Sequence, residues 1–145
     1  MDRRELDRIR RLAEAIACQA AKIEELRAEA YGGRGANNTG GSRAARVNKL
    51  EALSIRLVAE EDKLDELKDE RHDAVEVAVR GIRLSIEDDK QRHILYLRYL
   101  AVDKQGHCLD WPRVLEIVHK VHKIQDRQIY KLHHIAIRKI ESYNI

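Results

Sequence analysis

The sequence predicts an all-α protein: an N-terminal antiparallel helical hairpin, coiled-coil-like, followed by a C-terminal three-helix helix-turn-helix domain. Three observations carry that expectation. Proline occurs once in 145 residues, at Pro112, so almost nothing interrupts a helical run. Ile9, Ile16 and Ile23 recur every seventh residue, with Leu12 and Leu26 at the complementary position and Gln19 between them, which is a heptad seam with one polar interruption. In the last third, two shorter apolar runs at helical spacing follow one another, one from Trp111 and one up to Ile140.

Each element follows in order. Residues 3–30 read as one helix, its stripe widened by Ala13 and Ala20. Residues 31–42, YGGRGANNTGGS, hold five of the seven glycines and read as a flexible loop, because glycine loses the most entropy when fixed. A longer helix is predicted over 42–84, its apolar face marked by Val47, Leu50, Leu53, Leu57, Leu64 and Leu67 and continued by Ala74, Ala78 and Ile82. Its acidic middle, Glu60 to Asp73, reads as a solvated face with i,i+4 pairs to Lys63 and Lys68. The hairpin unit is therefore 1–84. Neither stripe can be left in water, so the two helices bury each other or meet copies in an oligomer.

The second unit, 85–145, begins with Ser85, whose hydroxyl is placed to cap a third helix at Asp88. Ile94, Leu95, Leu97, Tyr99 and Leu100 supply that helix's apolar area. A polar loop, DKQGHCLD, covers 103–110. Asp110 is placed to cap the next helix, with Pro112 in its first turn and Val114, Leu115, Ile117 and Val118 inside. The last helix runs from about Gln125 to Ser142.

That last helix has two faces. Ile129, Leu132, Ala136 and Ile140 lie on one; Arg127, Gln128, Lys131, His134 and Arg138 lie on the other. A reader of duplex DNA needs such a division: one side packs rigidly, the other offers long donors to base edges and phosphates. Arg127 suits guanine O6/N7 and Gln128 suits adenine N6/N7, while Lys131, one turn on, reaches a base or a phosphate. Lys120, Lys123, Tyr130, His134 and Arg138 fit phosphate contacts, which position without specifying. Asp126 favours the positive end of the helix or reads cytosine N4. Charge is distributed accordingly. The net charge is +3, yet residues 111–145 carry seven Lys/Arg against three Asp/Glu, leaving the first 110 residues slightly acidic.

The segments ILYLRYL (94–100), WPRVLEI (111–117) and RQIYKLHHIAIRKI (127–140) resemble the helix-turn-helix of sigma-factor region four. More closely, they resemble a group of small phage and prophage regulators with a sigma-like tail, which includes late-gene activators and autolysin-regulator-like proteins. The resemblance covers about the last 60 residues; the coiled first half is similar in style only. It implies sequence-specific duplex DNA binding in the control of phage or prophage late genes. Arg127, Gln128 and Lys131 then fall where such helices touch bases, and host RNA polymerase is an implied partner. The chain departs from the pattern between Val114 and Ile129, where it holds about four extra residues. The usual turn glycine is missing, and Gln125 stands in place of a serine cap. One added helical turn of about 3.6 residues would absorb the insertion without rotating the faces.

Other chemistries are not expected. Cys18 and Cys108 lack a CxxC partner, and the seven histidines show no zinc-finger spacing, so neither a disulfide framework nor a metal site is read here. GxSxG, a phosphate-binding P-loop and HExxH are absent, and neither an enzyme nor a cofactor is expected. No apolar run approaches the roughly 18 residues that span a bilayer, and the first residues lack a signal-peptide core, so a cytoplasmic, nucleoid-associated protein is expected. Two alternatives share the same features: a small-terminase-like packaging subunit, and a protein-interaction module that binds no DNA.

Overall fold

The computed structural model describes residues 1–31 and 43–143. The glycine-rich segment, apart from Tyr31, lies outside them. The described chain is all-α: α1 (Arg3–Tyr31), α2 (Arg43–Ser85), α3 (Asp89–Leu95) running into a π-helical turn (Tyr96–Leu100), α4 (Trp111–His122) and α5 (Asp126–Tyr143). α1 and α2 form the expected long antiparallel pair, and the shorter helices pack together after it.

α1 opens on a reciprocal cap. The Asp2 N–H donates to Glu5 Oε2 at 2.9 Å, and the Glu5 N–H donates to Asp2 Oδ1 at 3.0 Å. Along the hairpin, Ile23 and Leu26 close on Leu53 and Leu57 at one end. Gln19, the polar break in the seam, is satisfied from α2: its amide donates to the Glu60 carbonyl at 2.9 Å and to the Glu60 carboxylate at 2.5 Å. The acidic block is used differently from the sequence expectation. Glu60, Glu61 and Glu70 pair across the hairpin with Lys22, Arg27 and Arg8 rather than along α2 with Lys63 and Lys68. Val47 and Leu50, expected on the apolar face of α2, are exposed, because among the described residues α1 covers that face only from Leu53 on; Ile55 and Val58 are exposed as well.

Ser85 does not cap the third helix. It ends α2, and its hydroxyl donates back to the Gly81 carbonyl at 2.6 Å. Asp88 takes the cap instead, its carboxylate accepting from the Gln91 N–H at 3.3 Å. The reason lies in the core: Ile82 and Ile86 are both fully buried, and seating Ile86 there after α2 has ended moves the next cap on to Asp88. Arg92 then caps the end of α2, donating to the carbonyls of Ile86 and Arg83.

Two cores organise the rest. The first joins Leu6 and Ile9 of α1, Ala78 and Ile82 of α2, Leu95 and Tyr99, and Ala136, Ile137 and Ile140 of α5. It crosses from one side of residue 84 to the other, so hairpin and C-terminal helices share it. At about 1.5–3 kcal/mol per large apolar side chain buried, it contributes much of the stability. The second joins Ile94, Val114, Val118, Ile124 and Ile129, with Leu97, Leu109, Trp111, Leu115 and Leu132 around them. This core holds α3, α4 and α5 as one unit.

The loop between the π-helical turn and α4 is tied to α1. Glu14 accepts from the Cys108 N–H at 2.9 Å and faces His107 Nδ1 at 3.0 Å, while the Cys108 thiol donates to the Arg10 carbonyl at 3.4 Å. The hydrogen bond to His107 holds the Glu14 carboxyl below its ordinary value, and the same bond raises His107. Both cysteines are free.

Candidate nucleic-acid interface

α4 starts as the sequence predicts. Asp110 accepts from the Arg113 N–H at 3.1 Å, and Pro112 occupies the first turn. Val114 and Val118 are fully buried; Leu115 and Ile117 are half-buried. α4 extends through HKVH to His122. Lys123 then ends the helix in the left-handed region, at φ 60° and ψ 35°, its N–H donating to the His119 carbonyl at 2.9 Å. A non-glycine residue there costs roughly 1–2 kcal/mol. Histidines brace the bend. His119 Nδ1 donates to the Ile124 carbonyl at 3.0 Å, and His122 Nε2 meets His93 Nδ1 of α3 at 2.9 Å. Burial lowers the proton affinity of His93, and the His122 ring lowers it further.

α5 begins one residue after Gln125, whose carbonyl accepts from the N–H groups of Gln128 and Ile129, both at 3.0 Å. Its inner side is fixed: Ile129, Ala136 and Ile140 are buried, with Leu132 half-buried. His133 and Ile137 are buried beside them. The outer side carries Arg127, Gln128, Lys131, His134 and Arg138, all exposed. Lys120 and Lys123 are exposed beside them. Lys139 is exposed on the other flank, where its ammonium donates to Oε1 of the buried Gln91 at 3.0 Å.

An aromatic stack sets how α5 is mounted. The Trp111 ring lies 4.9 Å from Tyr130 and 4.8 Å from His133, edge-on to the latter. The Arg98 guanidinium sits 4.7 Å over the same indole and donates weakly, at 3.4 Å, to the Leu109 carbonyl. Tyr130 thus contacts Trp111 and is 45% exposed. Sequence patterns do not single out Arg98. Nothing in its local surroundings distinguishes it, because its place over Trp111 arises only when α4 returns against the π-helical turn.

Among the described residues, no group of three or more His, Cys, Asp or Glu is arranged to hold a metal ion. No helix there is long and apolar enough to cross a membrane. The arrangement is that of two helices joined by a turn over 123–125, the second presenting an amide-and-basic face, on an all-α hairpin scaffold. No protein-family model, curated protein or solved structure matches this chain.

Proposed function

We propose that the protein binds duplex DNA in a sequence-specific manner and regulates transcription, in the manner of the small sigma-like phage and prophage late-gene regulators that its last third resembles. The observation that carries the reading is the division of α5. Ile129, His133, Ala136 and Ile140 lock one side, and Arg127, Gln128 and Lys131 stand exposed in the first turns of the other. Bidentate donors on the opening turns of a rigidly held helix are what a major-groove reader requires. Lys120, Lys123, Tyr130, His134 and Arg138 surround them as phosphate contacts. In this reading the hairpin is the arm for self-association or for meeting RNA polymerase, through the exposed apolar side of α2.

The test is selection of bound duplexes from a random pool with the full chain. Enrichment of a defined motif supports the reading, and retention of duplexes with no motif overturns sequence-specific recognition. Failure to retain any duplex at low salt overturns DNA binding altogether.

A further inference from the structure

We infer that Arg3 and Arg10 of α1, together with Arg98, form a second phosphate-binding surface that continues the outer face of α5 onto the hairpin. The ligand class is the phosphodiester backbone of duplex flanking the segment that α5 reads, so the inference rests on the reading of α5 as a DNA-binding helix.

Three geometric observations bring these arginines together. First, Leu6 and Ile9 of α1 share one core with Tyr99 and with Ala136, Ile137 and Ile140, so the start of α1 is packed against α5 itself. Arg3 and Arg10 are seven residues apart, about two turns, and so share one side of α1 beside that contact. Second, Arg10 and Arg98 are anchored at neighbouring residues. The Arg10 carbonyl accepts from the Cys108 thiol, and the Arg98 guanidinium reaches the Leu109 carbonyl. Third, Arg98 lies over Trp111, whose ring touches Tyr130, and Tyr130 is one turn from His134 on the exposed face.

The electrostatics agree. Arg10 lowers the proton affinity of Arg98, second only to burial, and Arg3, Arg98 and His134 all depress that of His133. Two guanidinium groups, those of Arg3 and Arg98, therefore act on one buried imidazole, and Arg10 acts on Arg98 beside them. Two carboxylates lie on the same side of α1. Asp7 is 3.9 Å from Arg3 in a solvated pair, and Glu14 is engaged by His107 and Cys108. Gathering like charges opposes folding, and a phosphate group relieves that repulsion.

The experiment compares salt dependence. The full-length protein, Arg3→Gln/Arg10→Gln and Arg4→Gln/Arg11→Gln are titrated against one labelled duplex carrying the selected motif and one of scrambled sequence. Arg4 and Arg11 are exposed on the side of α1 away from its core, and replacing them removes the same formal charge. Circular dichroism melts check that each variant is folded. The expected result is a plot of log affinity against log salt that flattens by roughly 1.8 for Arg3→Gln/Arg10→Gln, at about 0.9 for each phosphate no longer neutralised. Affinity should fall by a similar factor on both duplexes, leaving the preference between them unchanged. The control pair should flatten the plot far less. If wild-type protein binds with a motif preference that Arg127→Ala removes, yet Arg3→Gln/Arg10→Gln keeps the wild-type slope or only matches the control, this inference fails while the reading of α5 stands. If wild-type protein binds neither duplex, both fail together.

Discussion

The Tyr99 hydroxyl lies 2.8 Å from His133 Nε2, with the two rings stacked at 5.7 Å between centroids. Burial raises the Tyr99 phenol, so it stays protonated and donates. Nε2 is then the acceptor of a neutral ring. This bond joins the π-helical turn to the middle of α5, and it exists in that sense only while His133 is uncharged.

Acid should therefore loosen the C-terminal helices. Burial first, then Arg3, Arg98 and His134, push His133 down to about 4. In the unfolded chain the ring titrates near 6.5. Between those values the unfolded state binds the extra proton, so stability is complete above about 6.5 and falls as the pH drops toward about 4. The loss is at most on the order of 3 kcal/mol. Thermal melts across that range check it. His133→Gln, whose amide accepts the same hydroxyl without titrating, should give a flatter profile; an unchanged profile would place the acid sensitivity elsewhere.

Reader and backbone residues should separate in binding. Arg127→Ala and Gln128→Ala should each cost about 1–3 kcal/mol on the preferred sequence and relax the preference at one base position. Lys120→Ala should weaken all sequences by a similar factor. Competition binding with single-base variants of the selected duplex measures both. Equal, sequence-independent losses for all three would remove Arg127 and Gln128 from base contact.

The bend before α5 offers a stabilising substitution. Lys123 sits at φ 60°, where glycine has no penalty. Lys123→Gly should raise stability by about 1 kcal/mol, or roughly 2–4 °C in Tm for a chain of this size. The same change removes a proposed phosphate contact and should lower duplex affinity at low salt. Stability and binding then move in opposite directions, which a general folding defect would not produce.

The shared core predicts one unfolding event. Ile82 is fully buried between hairpin and C-terminal helices, and Ile82→Ala should cost about 2–5 kcal/mol. Urea unfolding followed by fluorescence of Trp111, the only tryptophan, reports the aromatic stack; far-UV circular dichroism reports mainly the long hairpin. The two curves should coincide in wild type and shift together in the variant. Separate midpoints would show that the hairpin and the C-terminal helices melt independently.

Much of this fold is legible from local signals. Heptad spacing places α1 and α2, and Asp110 with Pro112 places α4, because periodicity and caps depend on neighbours in sequence. The outer set on α5 is readable for the same reason. What escapes depends on distant partners. Ser85 and Asp88 are both good caps, and only the burial of Ile86 chooses Asp88. The π-helical turn gives no local sign; its closing Ala101 N–H bonds the Tyr96 carbonyl, and Arg71 from α2 donates to the Leu100 carbonyl at 2.6 Å. The arginines around His133 come from elements that no spacing rule connects.

The placing of Leu6 and Ile9 in one core with Ala136, Ile137 and Ile140 also constrains how the protein is made. A hairpin can begin to pair while translation proceeds, since both its helices emerge early. Its first turns, however, keep an uncovered apolar patch until the last helix leaves the ribosome. At some 5–20 residues per second that interval lasts seconds.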